Sequence, residues 1–194
     1  MDEKFLVEQL KKGDESAFKT IVENCQLLVY NTALGIVQNA EDAEDLTQDV
    51  FVQVHESIGS FKGDSKLSTW LYRITTSKSL DHLRKKKTKK RFGIMQNLFG
   101  SSQNEAVEKP DFNHPGVKFE NKEKAAILFK AIKQLPENQR IAFTLHKIEG
   151  LSHQEISEVM RTSVPAVESL IHRAKNNLRK WLENQYKNTN LTKV

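Results

Sequence analysis

The sequence predicts an all-α protein of two small helical domains, on three observations. Glycine and proline are scarce, with 8 and 4 copies in 194 residues, so few positions break a helix. Apolar residues recur at three- and four-residue steps over long stretches, and no strand-type alternation is sustained. The helical pattern fades between about Gly93 and Asn121, where Gly93, Gly100, Ser101, Ser102, Pro110, Pro115 and Gly116 gather with few apolar residues. That composition reads as a flexible linker. The expected division is 1–91 for the first domain, 92–121 for the linker, 122–186 for the second domain and 187–194 for a C-terminal tail.

The first helix is expected after Asp14, with Phe18, Ile21, Val22, Cys25, Leu28, Val29 and Thr32 on one face. Asn39 reads as the N-cap of the next, behind which Ala43, Leu46, Val50, Val54 and Ile58 keep one apolar face until Gly59 and Gly63 interrupt. A third helix runs from about Leu67, carries Leu67, Trp70, Leu71 and Ile74 on one face, and ends in the basic run Arg84–Arg91. After the linker the pattern resumes with Ile127, Leu128, Ala131, Ile132 and Leu135. Pro136 closes that helix and can open the next at its first position.

The strongest local signal lies between Glu149 and Arg179. Gly150 ends a helix carrying Ile141, Leu145 and Ile148, and Ser152-His153-Gln154-Glu155 reads as a capping box. A short helix buries Ile156, Val159 and Met160, Arg161-Thr162-Ser163 makes a turn, and a longer helix buries Val164, Val167, Ile171, Ala174, Leu178 and Trp181. Pro165 is tolerated in the first turn, where amides lack intrahelical partners. A short helix, a three-residue turn and a longer helix form the helix-turn-helix layout, whose second helix enters the major groove. Small packed helices without any DNA satisfy the same pattern. On the DNA reading, Glu168, Ser169 and His172 face base edges, and Arg173, Lys175, Arg179 and Lys180 are placed to meet phosphates.

The net charge is only +5, from 30 Lys and Arg against 25 Asp and Glu, so the placement of charge says more than its total. Seven of the eight residues from Arg84 to Arg91 are basic. Nucleic-acid phosphate, an anionic membrane surface and plain solvation all satisfy such a run. Aromatic residues beside it can stack on unpaired bases, although Trp70 shares a face with Leu67 and Ile74 and reads as core. Glu41, Asp42, Glu44, Asp45 and Asp49 crowd the start of the second helix. One or two such carboxylates complement a helix dipole; five suggest a docking surface for a basic partner.

No catalytic constellation is present: the six histidines are scattered, and there is no phosphate-binding glycine loop and no metal-ligand spacing. No enzyme activity, metal, cofactor or small-molecule substrate is expected. Cys25 is the single cysteine and reads as a small buried apolar residue rather than a reactive thiol. Met1-Asp2-Glu3-Lys4 is not a signal-peptide start, and no apolar run approaches the roughly 18 residues of a membrane span, so a cytosolic location is expected.

The residues then resemble a known family. Asp42-Ala43-Glu44-Asp45-Leu46-Thr47-Gln48-Asp49-Val50-Phe51, Ser60-Phe61-Lys62-Gly63-Asp64-Ser65 and Thr69-Trp70-Leu71-Tyr72-Arg73-Ile74 resemble region two of extracytoplasmic-function sigma factors, in the sigma-70 superfamily. Leu135-Pro136-Glu137-Asn138-Gln139-Arg140, Glu149-Gly150-Leu151-Ser152, Glu155-Ile156, His172-Arg173-Ala174 and Leu178-Arg179 resemble region four. The resemblance covers about three-quarters of the chain, in the family's order. It implies a factor that directs core RNA polymerase to promoters, with region two on the clamp helices of the largest subunit and region four near the flap. Asp45, Gln48, Asp49 and Phe51 would be polymerase contacts. Phe61, Lys62, Gly63, Asp64, Ser65 and Lys66 would form a pocket for a flipped base of the minus-ten element, with Trp70, Arg73, Ser77, Lys78 and Arg84 along the strand-opening helix. Arg161, Glu168, Ser169, His172, Arg173, Lys175 and Arg179 would meet the minus-thirty-five duplex. Ser77 stands where the family often has Asn, and Glu168 where a basic residue is common, so neither promoter sequence carries over. The family usually has an anti-sigma partner, often membrane-anchored.

Three rival readings stay in view. An ordinary dimeric helix-turn-helix regulator leaves the acidic helix and residues 61–74 idle. A membrane-surface protein would bind liposomes without its C-terminal half. A nucleic-acid enzyme lacks its metal or acid–base cluster.

Overall fold

Helix α1 (Glu3–Lys11) opens the described chain; the computed structural model describes residues 3–99 and 122–191. The sequence reading did not anticipate this helix. Its signal was present in Leu6, Val7 and Leu10, but nine residues are too few for the period to stand out. Its use is local: the Glu3 carboxylate accepts the N–H of Leu67 at 2.9 Å, at the start of a helix 64 residues on.

Helix α2 (Glu15–Val37) begins where Asp14 accepts the N–H of Ala17 at 2.8 Å. Helix α3 (Ala40–Ser57) begins where Asn39 accepts the N–H of Asp42 at 2.7 Å. Both caps satisfy first-turn amides that have no intrahelical partner. A single 3-10 turn at Ile58–Ser60 leads through residues 61–66 into α4 (Leu67–Phe99). Helix α4 continues eight residues past the expected start of the linker at 92. Gly93 costs a helix interior only about 1 kcal/mol, and the good helix formers Met95, Gln96 and Leu98 that follow carry the helix on. The rest of the expected linker, 100–121, lies outside the described residues.

The second half comprises α5 (Lys122–Lys133), α6 (Glu137–Lys147), α7 (His153–Met160) and α8 (Val164–Leu191). Pro136 takes the N-cap position of α6, one residue before the expected place. The expected tail from 187 is helical through Leu191. The capping box is complete: the Ser152 hydroxyl accepts the N–H of Glu155, and the Glu155 carboxylate accepts the N–H of Ser152 at 3.0 Å. Replacing Ser152 by Ala should cost about 1 kcal/mol, read as a lower midpoint in thermal unfolding followed by circular dichroism.

Packing explains the register of these helices. Ile21, Val29, Val50, Val54 and Leu71 are fully buried and join α2, α3 and α4, each contributing about 1.5–3 kcal/mol by burial. A second cluster crosses the halves: Ile36 and Tyr72 pack with Ile141, Leu145, Ile156, Val159, Val167 and Ile171. Helix α2 therefore lies against α6, and α4 against α7. At the α2–α6 crossing the backbone approaches so closely that a Cβ on Gly35 would stand 2.5 Å from Thr144 Cγ2.

Candidate polymerase and promoter interfaces

The acidic helix α3 divides its charges between two uses. Asp42 is tied inward, 3.0 Å from the Lys86 ammonium and 3.3 Å from the His82 ring of α4. Glu41, Glu44, Asp45, Gln48 and Asp49 are exposed. Asp45, Gln48 and Asp49 fall at steps of three and four, so they share one face. Phe51 does not join them. It is 7% exposed and belongs to the core, because two residues beyond Asp49 a helix has turned about 200°. In the free chain Phe51, which the resemblance implies is a polymerase contact, thus backs this face from the core. Exposed Val52 stands beside this face.

In the 61–66 loop, Lys62, Gly63, Asp64 and Lys66 are exposed and Ser65 is partly so. Gly63 has φ +78° with open space where a Cβ would be, so the turn needs glycine for its backbone and not for room. Phe61 is again core: it is 6% exposed, with its ring 5.2 Å from that of Trp70. The loop and α1 bound a groove of about 330 Å3 lined by Glu3, Lys4, Lys11, Phe61, Lys62 and Ser65.

Along α4, Ser77 and Arg84 are exposed and Lys78 is partly buried. Trp70 packs at the edge of the core, as its place beside Leu67 and Ile74 implied. The basic run is partly used within the chain. Lys86 meets Asp42, Lys87 reaches Glu137 at 2.6 Å, and Arg84 lies 3.5 Å from Asp81. Glu137 is held below the usual carboxylate range chiefly by the Lys87 hydrogen bond.

Helix α8 presents the face its spacing predicts. Val167, Ile171, Ala174 and Leu178 are buried, while Glu168, Ser169, His172, Arg173, Lys175 and Arg179 are exposed. Arg173 donates to the Ser169 carbonyl at 3.2 Å, and Asn176 lies 2.9 Å from the His172 ring. Arg161 stands apart from this group. It ends α7 in the left-handed region at φ 50°. With Trp70, Arg73, Ser77 and Asn138 it lines a cleft of about 420 Å3 between α4 and the α6–α7 pair.

Several residues named by sequence are joined here in pairs that the sequence did not suggest, and Glu158 was not singled out at all. The Tyr72 hydroxyl donates to Glu149 at 3.2 Å, and Arg73 donates to the Glu158 carbonyl at 2.9 Å. Lys66 lies 3.3 Å from Glu155. Burial pushes the Glu149 carboxyl up to about 7, with the Tyr72 bond pulling the other way. Burial, then the neighbouring Glu149, raises the Tyr72 phenol. Only the juxtaposition of helices about 77 positions apart creates this pair, so no local pattern announced it. The raised carboxyl favours the packed state when protonated. Its contribution is full below the ordinary carboxylate range and is lost as pH rises through about 7. Glu149→Gln should therefore stay close to the parent's stability near pH 4 and exceed it at pH 8, by an amount on the order of 1–3 kcal/mol. Midpoints measured by circular dichroism across that range check it. Cys25, half-buried on α2, has its thiol pushed up by burial and then by Glu3, which makes it a poor nucleophile.

Among the described residues no group of three or more His, Cys, Asp or Glu could hold a metal ion, and no helix is long and apolar enough to cross a membrane.

Residues 21–89 match sigma-70 region 2, and residues 125–178 match sigma-70, region 4. The RNA polymerase sigma-H factor of Pseudomonas aeruginosa is 32% identical over 188 residues, 92% of each protein. The ECF RNA polymerase sigma-E factor of Escherichia coli K12 is 32% identical over 185 residues, covering 90% of this chain and 91% of that one. The chain belongs to the extracytoplasmic-function sigma factors of the sigma-70 family. As a sigma factor it directs RNA polymerase core to promoters and initiates transcription; it is a DNA-binding initiation factor and not an enzyme. The fold has solved counterparts. CnrH, in complex with the cytosolic domain of CnrY, superposes with a TM-score of 0.67 at 22% identity, over 94% of this chain and 97% of that one. The sigma factor RpoE of Bartonella quintana, in complex with the anti-sigma factor NepR, gives 0.63 at 20% identity, over 86% and 96%.

Proposed function

We propose that this sigma factor divides its work among three helices. The exposed α3 face of Asp45, Gln48 and Asp49 docks on the clamp helices of the polymerase. Residues 62–66 hold a base flipped from the minus-ten element, while Lys66, Arg73, Ser77, Lys78 and Arg84 follow the opened strand along α4. Glu168, Ser169 and His172 on α8 read minus-thirty-five base edges, with Arg173, Lys175 and Arg179 on phosphates. The observation that carries this reading is that the α3 and α8 sets are exposed polar faces on helices whose opposite sides are buried core, so each is a fixed surface. The likeness to folds solved in complex with the cytosolic domain of CnrY and with the anti-sigma factor NepR supports an anti-sigma factor for this chain, and work on polymerase and promoter DNA places its action in the cytoplasm.

Reversing Asp45 and Asp49 to Lys should weaken core binding by at least about tenfold, the scale of charge pairs at an interface, with helicity and duplex binding by region four unchanged. Competition for core against the parent protein decides it; equal competition removes the assignment. On α8, Arg173→Ala should lower affinity evenly across promoter sequences and flatten the salt slope by about one. Ser169→Ala or His172→Ala should instead change which base pairs are preferred, by about 1–3 kcal/mol. Titrations over a promoter library at several salt concentrations separate the two roles.

A further inference from the structure

Glu168 is the one acidic residue of α8 between Val164 and Leu182, where Arg173, Lys175, Arg179 and Lys180 supply the charge that a DNA backbone attracts. A carboxylate there repels phosphates, so its presence on a DNA face calls for a donor on the duplex. It borders the same shallow hollow as Ser169, His172 and Arg173. It is also held from the side. The His153 Nδ1, at the start of α7, lies 3.5 Å from Glu168 Oε1. Behind it the His146 ring stands 5.0 Å from the His153 ring, and His146 Nδ1 is 3.1 Å from the Leu151 carbonyl oxygen. A carboxylate and a carbonyl only accept, so both Nδ1 atoms carry the proton in these contacts. His153 is the first residue of a helix whose N-terminus is fixed by the Ser152–Glu155 capping box. Leu151, His146, His153 and Glu168 thus form a chain of contacts from a fixed helix start to the exposed face of α8.

We infer, resting on the reading of α8 as the base-reading helix, that His153 is a positioning residue for promoter specificity: it holds Glu168 so that the carboxylate selects a cytosine of the minus-thirty-five element. Major-groove chemistry decides the base. Guanine shows two acceptors there and thymine an acceptor beside a methyl group, so neither offers a carboxylate a donor. Adenine offers an amine, but next to the N7 acceptor. Cytosine offers the N4 amine with no acceptor of its own. With Oε1 on the imidazole, Oε2 is left to accept from that amine. A glutamate without such a hold has several rotamers open to it and loses their entropy on binding. Held in advance, the carboxylate loses less.

The test is binding of holoenzyme, reconstituted with the full-length protein, to a promoter library randomised across the minus-thirty-five element. The parent should prefer cytosine about tenfold over guanine or thymine at one position, the scale of a single base contact. Glu168→Gln should move the preference at that position toward adenine, because a carboxamide both donates and accepts. His153→Ala should lower the cytosine preference about threefold, the scale of an exposed ion pair, with the preferences at all other positions as in the parent. His153→Asn places an amide nitrogen about where Nδ1 stands and should restore the cytosine preference. A merely structural role of the ring would not be rescued in this way.

If α8 did not read bases, Glu168→Gln would leave the preference at every position unchanged. If α8 reads bases but His153 does not position Glu168, Glu168→Gln would change one position and His153→Ala would not. An even loss of affinity across the library on His153→Ala would make His153 a phosphate contact and overturn the inference. So would a parent preference for guanine or thymine at the position that Glu168→Gln alters. A cytosine preference weakened by His153→Ala and restored by His153→Asn is the result expected.

Discussion

Holoenzyme carrying a Gly/Ser replacement of residues 62–66 should leave promoter DNA closed while still binding core and the minus-thirty-five duplex. Extruding a base costs a few kcal/mol in lost stacking and pairing, and the extruded base has to find its hydrogen-bonding partners in the protein. Lys62, Asp64, Ser65 and Lys66 are the polar groups at this loop, held by the turn at Gly63. A cost of a few kcal/mol left uncompensated lowers the open population by about a hundredfold or more, since each 1.4 kcal/mol is about tenfold. Permanganate reactivity of thymines near the minus-ten element measures this directly. Undiminished reactivity would remove the pocket from the loop. Phe61 is kept in this variant because it belongs to the core against Trp70, and its loss would confuse folding with function.

Replacing Arg140 by Met should lower the thermal midpoint by about 10 °C. Arg140 is 8% exposed, and its guanidinium donates to three carbonyls: Ile36 at the end of α2, Lys133 at the end of α5, and Leu135 in the turn that follows. Two helix C-termini, each with partial negative charge and carbonyls lacking an intrahelical partner, are thus satisfied by one fork. Methionine fills a similar volume but leaves those acceptors buried and unpaired, at about 1–3 kcal/mol each before relaxation. A net loss of about 3 kcal/mol corresponds to roughly 6–12 °C for a protein of this size. Arg140→Lys should recover only part of it, because an ammonium cannot fork in a plane. Calorimetry or circular dichroism would show whether the loss is there.

What could be read from the chain alone follows from the range of each interaction. The caps at Asp14, Asn39 and Ser152 and the apolar faces of α2, α3, α4, α7 and α8 depend on residues three or four positions apart, and all were legible. The exposed face of α8 followed from the burial of Val167, Ile171, Ala174 and Leu178. The family resemblance named Phe51 and Phe61 as contacts, while helical geometry and packing, which it does not carry, bury both side chains in the free chain. The unread part is long-range. Glu149 meets Tyr72 across 77 positions, Arg140 meets Ile36 across 104, and Glu3 meets Leu67 across 64. None of these leaves a local mark, and the need for glycine at position 35 appears only when α6 is laid across it.

The continuity of α4 from Leu67 to Phe99 makes it a measuring rod. At 1.5 Å per residue, Trp70 and Arg91 are separated by about 32 Å along the axis, close to about nine base-pair steps of duplex at 3.4 Å each. On the proposed reading of α4, an unpaired strand held toward one end of the rod and phosphates met toward the other fix how far the edge of the bubble lies from the neighbouring double helix. Because the rod is a helix, its calibration comes in whole residues, each adding about 1.5 Å and a rotation of about 100°. Lengthening it by one residue would turn the basic side chains away from the groove while barely changing their distance. A full turn would restore their direction and move the grip by about one and a half base pairs.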